Sequence, residues 1–332
     1  MASKRPSAER LKQILERQSR RRFGRDYQPA IRANRQEAPA RSRPSVGYWR
    51  RIGRDIHCLS RNERIIATLA MHFPGLFDLH EEKMLSTEPC LHPFEGHPWA
   101  SGLPLPTVLG TLDVAERLGC LSIHPMIRIR SPDNDPWVMQ VPFPYIGDFL
   151  LFLNDELGSY LVNWTVKDKH SDFMNTQKRR RWRNPEEDAY RAWARHEIER
   201  VYYADIGIRT VRIAVSTDID VHVAENLRRL FCLSAQPVAL LEDQRQELSH
   251  LFNEALIRGI PPYDMYEAHL RRLAITWQSA QRILAQDIWE RRLRVDLFRP
   301  VLFDRPLRPE ERDVFDVYGD WFRRPPCTLV SN

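Results

Sequence analysis

Residues 145–169 read Tyr-Ile-Gly-Asp-Phe-Leu-Leu-Phe-Leu, Asn-Asp-Glu-Leu-Gly-Ser and Tyr-Leu-Val-Asn-Trp-Thr-Val-Lys-Asp-Lys. The two outer runs are rich in aromatic and β-branched residues, and the middle run has the composition of a turn. This pattern predicts a β-hairpin. Most other positions of the hairpin are apolar, so we expect a sheet that is buried on both faces.

The hairpin is expected to gather polar side chains on one face. If Leu153 faces Tyr160, antiparallel pairing places Asp148 opposite Thr165, and alternation puts Lys167 on the same face. A buried charge is costly unless it is paired or binds a metal ion. A solvated Asp or Lys at a strand end has the same sequence pattern, and the hairpin alone favours that simpler interpretation.

Length and composition limit the possible classes of protein. The chain has 332 residues, which is enough for two domains, and 42% of them are hydrophobic. No apolar run approaches the roughly 20 residues of a membrane span, so no membrane partner is expected. The basic N-terminus lacks the apolar segment of a secretory signal.

Cysteine usage and charge add two further limits. The five cysteines are scattered and never form a Cys-x-x-Cys pair. This usage favours a reducing compartment and argues against a zinc module. The net charge of +6 and the pI of about 9.2 allow a nucleic-acid partner without requiring one.

Residues 1–45 are predicted to form a flexible basic arm with a short helix near its start. Its clustered cations are Arg20, Arg21, Arg22 and Arg25. The arm has two possible roles, electrostatic attachment to a phosphate backbone or solubilisation, and composition favours neither.

A helix is predicted to begin after Ser60. Ser60 and Glu63 match the capping box, in which the serine caps the helix and the glutamate bonds back to the cap N–H. Read alone, Glu63 is therefore a capping residue.

A second basic segment follows the hairpin and contains an interleaved tryptophan. It consists of Lys178, Arg179, Arg180, Arg181, Trp182 and Arg183. Such a composition suits contact with a nucleic-acid backbone and stacking on bases, although a solvated loop remains the alternative. A helix over 185–204 and a buried strand over 210–215 then complete a mixed α/β unit.

The chain after residue 221 is predicted to be mainly helical. Helices and a basic hairpin ending near residue 304 are typical of a winged helix, with arginines for phosphate contacts. The alternative is an ordinary helical bundle in which those arginines are only solvated. The tail over 305–332 is Pro- and Arg-rich, and its large apolar residues indicate a partner-binding segment.

An ordered set of short motifs resembles one family between residues 21 and 231. The motifs are Gly24-Arg25-Asp26-Tyr27-x-Pro29, Ile56–Ser60 with Glu63, His124-Pro125, Ile146–Leu150, Thr165-Val166-Lys167 and Glu197–Tyr203. The set is similar to TnsA, the endonuclease subunit of heteromeric bacterial transposases. The resemblance rests on the order of the motifs, because no single motif is specific.

The resemblance implies a fold and a metal site. The implied fold is a restriction-endonuclease-like domain of the PD-(D/E)xK class over 46–220, followed by a winged-helix domain over 221–304. Glu63, Asp148 and the backbone carbonyl of Val166 would bind Mg²⁺, for which Mn²⁺ is expected to substitute. Lys167 would orient and activate the attacking water in metal-assisted phosphodiester hydrolysis.

Thr165 departs from the family pattern. Members have Gln at this position, and the wider class usually has Glu. Thr is shorter and has less reach towards a bound metal, but replacing Gln removes no charge. We therefore expect activity to be retained.

The resemblance also implies partners and a setting. Family members cut the 5′ end of a transposon in double-stranded DNA, together with a TnsB-like DDE transposase and a TnsC-like AAA+ ATPase, in the bacterial cytoplasm. Two alternatives remain open: a catalytically inactive DNA-binding scaffold subunit, and a free-standing nuclease of the restriction type.

Overall fold

The computed structural model describes residues 6–39, 42–130, 138–174, 185–273 and 275–325. The chain is of the mixed α/β class. Its strands are β1 (Ser45–Trp49), β2 (Arg54–Cys58), β3 (Leu76–Met84), β4 (Met126–Arg130), β5 (Val138–Pro142), β6 (Ile146–Asp155), β7 (Gly158–Lys167) and β8 (Arg209–Ala214). Its α-helices are α1 (Ala8–Gln18), α2 (Arg61–His72), α3 (Thr111–Arg117), α4 (Pro185–Ala204), α5 (Val215–Asp218), α6 (Val221–Ser234), α7 (Glu242–Arg258), α8 (Pro262–Leu273), α9 (Trp277–Trp289) and α10 (Val314–Tyr318). Within those ranges, none of the helices combines the length and apolar character that a membrane crossing requires.

The central sheet has four strands in the order β3-β6-β7-β8. β6 pairs antiparallel with both β3 and β7, and β8 lies parallel to β7. The predicted hairpin is confirmed, and so is its register, because Leu153 pairs with Tyr160. α4 provides the crossover that a parallel β7–β8 pair requires. Two smaller hairpins, β1–β2 and β4–β5, lie outside this sheet.

Both faces of the sheet are buried, as the apolar hairpin predicted. Leu151 and Leu153 belong to the cluster that includes α2, whereas Leu150 and Phe152 belong to the cluster that includes α4. All four side chains are 0% exposed. A strand covered on both sides gains nothing from alternating polar residues, which explains its continuous apolar run.

The N-terminal segment, expected to be a flexible arm, packs on the rest of the chain in its described part. Ile14 of α1 is buried with Ala30, Ile127 of β4 and Phe143. The sequence predicted a short helix but not its partners, because Ile127 and Phe143 lie more than 100 positions further along the chain.

The chain after β8 is helical, as predicted, with α6 packed on both α2 and α9. The basic hairpin expected after α9 is not formed, since residues 290–313 contain only an isolated bridge between Val295 and Pro309. Arg291 and Arg294 instead form ion pairs with Asp313 at 2.6 and 2.8 Å. Both guanidinium groups are already paired with acidic side chains, so they are not free to contact a phosphate.

The described part of the tail, 305–325, belongs to the core. Phe322 is buried and stacks on Phe73 with ring centroids 4.1 Å apart. The indole N–H of Trp164 in β7 donates to the carbonyl of Trp321 at 2.9 Å, and the Tyr160 hydroxyl donates to the carbonyl of Phe322 at the same distance. The tail therefore closes one face of the central sheet.

Candidate active site

The hairpin brings three predicted site residues together at one end of the central sheet. Oδ2 of Asp148 accepts a hydrogen bond from the backbone N–H of Val166 at 2.6 Å. The Lys167 ammonium lies 3.6 Å from the same oxygen and donates to the Val166 carbonyl at 3.0 Å. The predicted register accounts for this arrangement, since it places Asp148 across from Thr165.

Thr165 is buried and faces α4. Its hydroxyl donates to Oε1 of Glu199 at 3.0 Å, and the Asn163 side-chain amide donates to the same oxygen at 3.0 Å. Burial, followed by the charge of Asp148, raises the pKa of the Glu199 carboxyl. The sequence analysis did not select Glu199. Its position on the inward stripe of α4, where Ala192 and Tyr203 are also buried, is the sequence feature that could have indicated it.

Glu63 forms the predicted capping box at the start of α2. The Ser60 hydroxyl accepts from the Glu63 N–H at 3.1 Å, and the Glu63 carboxylate accepts from the N–H groups of Ser60 and Leu59. Burial, followed by the charge of Asp148, raises the pKa of Glu63 to about 7. The side chain therefore caps its helix and also lies within electrostatic reach of the hairpin carboxylate.

Glu82 of β3 is a further acidic residue that the sequence analysis did not select. Glu81 pairs with Phe149 and Lys83 with Gly147, so Glu82 stands across from Asp148. The sequence feature that could have indicated Glu82 is the pair of adjacent glutamates within a buried strand, where charged residues are rare. Its neighbour Glu81 is neutralised by a two-pronged ion pair with Arg54 at 2.8 Å.

A neutral histidine and a charged arginine of α4 border the acidic residues. His196 is buried, and burial, followed by the charge of Lys167, lowers its pKa to about 3, so the imidazole is neutral at physiological pH. Arg195 is exposed on the same helix, and its charge acts on the carboxylates of Glu82 and Glu199. The site thus combines a carboxylate cluster with a cationic border.

Among the described residues, no group of three or more His, Cys, Asp or Glu side chains converges closely enough to hold a metal ion. Three carboxylates are each turned to a protein partner: Glu63 to its helix cap, Asp148 to the hairpin and Glu199 to Thr165. The predicted ligands, which are Glu63, Asp148 and the Val166 carbonyl, nevertheless suit a hard divalent cation, because Mg²⁺ prefers carboxylate and carbonyl oxygens. Binding such a cation would lower the electrostatic repulsion between the carboxylates of Glu63 and Asp148.

The predicted DNA-binding residues divide into described and undescribed groups. Arg20, Arg21 and Arg25 are exposed, and Arg21 donates to the backbone carbonyl of Glu95 at 3.4 Å. Arg20, Arg21 and Arg22 border a small pocket that Lys83 also lines. Lys83 directly follows Glu82 in β3. The second basic segment, over 178–183, lies outside the described residues.

Comparison with known proteins adds no assignment. No protein-family model matches the chain, and no curated protein matches it. The proposed function therefore rests on the fold and on the geometry of the site.

Proposed function

We propose that the chain is a Mg²⁺-dependent DNA endonuclease that makes the 5′ strand cut at a transposon end. The observation that supports this most is the hairpin geometry, in which the Lys167 ammonium lies 3.6 Å from Asp148 and 3.0 Å from the Val166 carbonyl. The order of a carboxylate, a backbone carbonyl and an ammonium on adjacent strands is the arrangement that the resemblance to TnsA implies.

Each residue of the site has a role in this proposal. Asp148, the Val166 carbonyl and Glu63 would hold the cation, which supplies charge stabilisation at the phosphate and a more acidic attacking water. Lys167 orients that water, and Asp148 fixes the position of its ammonium. Thr165 holds Glu199 through its hydroxyl and contributes no ligand.

The wider proposal covers the fold, the partners and the setting. Residues 46–220 would form a restriction-endonuclease-like domain, and the helices over 221–304 would take the place of the family's winged helix. The substrate would be double-stranded DNA, held in part by Arg20, Arg22 and Arg25. The partners would be a TnsB-like transposase and a TnsC-like ATPase in the bacterial cytoplasm.

A catalytically inactive scaffold subunit is the second candidate. The observation in its favour is Thr165, whose hydroxyl is engaged by Glu199 where the family has a longer side chain. A strand-specific cleavage assay separates the two candidates. The protein is assembled with its partner transposase and ATPase on an end-labelled transposon end in Mg²⁺.

A nick at the 5′ end that is absent with Asp148→Asn supports the endonuclease. Binding without any nick, in Mg²⁺ or Mn²⁺, supports the scaffold. Cutting of arbitrary plasmid by the purified chain alone would instead indicate a free-standing nuclease.

A further inference from the structure

Glu82 is held in a conformation that its surroundings do not explain. Its backbone φ is +50°, in the left-handed region that L side chains rarely adopt, and the residue lies inside a strand. Only one other non-glycine residue of the described chain, Arg291, has a positive φ. The Glu82 carbonyl accepts a hydrogen bond from the Ala30 N–H at 3.0 Å, which ties the strained residue to the N-terminal segment.

The Glu82 side chain is buried, and no partner for its carboxylate lies in the described part of the chain. The residue is only 6% exposed, and in the described ranges its carboxylate forms no hydrogen bond or ion pair. Burial, followed by the charges of Glu63 and Asp148, raises its pKa well above the ordinary value for a glutamate. The carboxylates of Glu63 and Asp148 repel this group more strongly than Arg195 attracts it, and no hydrogen bond from a described residue offsets its burial.

The neighbouring carboxylates do not share this property. Glu81 is paired with Arg54, Asp148 accepts from Val166 and lies beside Lys167, and Glu199 accepts from two donors. Among the described residues, Glu82 is thus the member of this cluster whose carboxylate contacts neither a hydrogen-bond donor nor a cation. Backbone strain that local contacts do not require is a feature of functional sites.

We propose that Glu82 is a further metal-ligating carboxylate of this pocket and takes a hard divalent cation together with Asp148. The inference rests on the proposed function, because it assigns a ligand to the same site. Glu82 stands across from Asp148 on the adjacent strand, because its two chain neighbours pair with the two neighbours of Asp148. A cation between them would relieve the repulsion and occupy the free lone pairs of Glu82.

The test measures binding of Mn²⁺ to the full chain by calorimetry and by electron paramagnetic resonance, without a cleavage readout. We expect Glu82→Gln to lower the affinity at least about tenfold, the scale seen when groups around a bound metal are removed. Glu82→Gly removes the carboxylate and also relieves the positive φ, so it provides a folded variant if the glutamine variant is unstable. Both variants should raise the melting temperature of the metal-free protein and reduce its further rise with Mn²⁺.

Glu199→Gln is the matched control, since it removes a buried negative charge nearby from a side chain that already has partners. We expect this variant to keep more of the Mn²⁺ affinity than Glu82→Gln does, because the Glu199 carboxylate already accepts from Thr165 and Asn163. If Glu199→Gln and Glu82→Gln weaken binding equally, the effect is one of pocket charge and the proposal is overturned. It is also overturned if Glu82→Gln binds like the wild type while Asp148→Asn does not, and the proposed function then stands. A wild-type chain that binds no Mn²⁺, alone or with a DNA duplex, overturns both.

Discussion

The ammonium of Lys167 lies 3.6 Å from Oδ2 of Asp148, and this oxygen also accepts the Val166 N–H at 2.6 Å. The two side chains come from neighbouring strands of one hairpin, so their spacing is set by strand pairing and not by a flexible loop. The carboxylate consequently positions the ammonium, and a change at either residue disturbs the other.

Asp148→Asn and Lys167→Ala should each lower the rate of strand cleavage by at least about 10³-fold. Since the groups act as a unit, the double variant should be no slower than either single one. DNA binding, measured by gel shift, should survive in all three variants. With the partner transposase, Asp148→Asn should still permit 3′ joining without 5′ cutting, and the products should be cointegrates. Wild-type cutting by Asp148→Asn in Mg²⁺ would contradict the assignment.

Glu63→Gln should change the pH dependence of stability in metal-free buffer. The pKa of Glu63 is raised to about 7 in the folded state from an ordinary value of 4.5. Its contribution to stability is therefore complete below pH 4.5 and is lost as the pH rises through 7. The variant and the wild type should unfold with similar free energies at pH 4.5, and the variant should be more stable by roughly 2 kcal/mol at pH 8.

Denaturant unfolding across that pH range provides the measurement. Glutamine can still accept the cap hydrogen bonds, so the comparison isolates the charge. Saturating Mg²⁺ should reverse the order of stability at pH 8, because only the wild type gains from binding. A constant difference between the two proteins from pH 4.5 to 8 would mean that Glu63 is ionised throughout.

Neutralising the exposed arginines of the N-terminal segment should weaken DNA binding for all sequences alike. If these arginines contact DNA phosphates, the double variant Arg20→Gln and Arg25→Gln should reduce the slope of log affinity against log salt concentration by roughly 2. Arg258→Gln is the matched control, because Arg258 is exposed on α7, where it pairs with Glu254. An unchanged slope in the double variant would exclude these arginines from the DNA surface.

Phe322→Ala should destabilise the chain by about 3–5 kcal/mol, the range for a large aromatic side chain removed from a core. Phe322 is 1% exposed and stacks on Phe73. The sequence predicts the tail as a partner-binding segment, for which deletion of 306–332 should leave the rest of the chain folded. The packing of the tail instead predicts that this deletion unfolds the sheet. Cooperative unfolding of the deletion variant at the wild-type melting temperature would contradict this.

Arg54→Ala should cost roughly 3–5 kcal/mol of stability, because it leaves Glu81 charged and buried. Glu81 is 0% exposed, and both of its oxygens bind the guanidinium at 2.8 Å. The double variant Arg54→Met with Glu81→Leu should recover much of this loss, since it leaves no unpaired charge. Urea denaturation of the three proteins provides the comparison, and equal destabilisation of the single and double variants would refute the explanation.

Local patterns in the sequence predicted much of the candidate site. The hairpin register followed from the turn composition, and the Ser60–Glu63 cap followed from residues three positions apart. The bounds of α4 matched the predicted 185–204 because its apolar spacing lies within the helix itself. Local patterns did not indicate that Arg291 and Arg294 pair with Asp313, because this partner lies about 20 positions further along the chain.

The sequence by itself determined that Asp148 and Lys167 share one face of a buried hairpin, because strand alternation and a short turn are local properties. Only the tertiary structure decided that Glu82 stands across from Asp148 and that Glu199 accepts from Thr165. Those contacts join residues 34 or more positions apart, and their geometry depends on how β3 and α4 pack on the hairpin. Sequence periodicity indicates which side of an element is buried, but it does not say which distant side chain will face it.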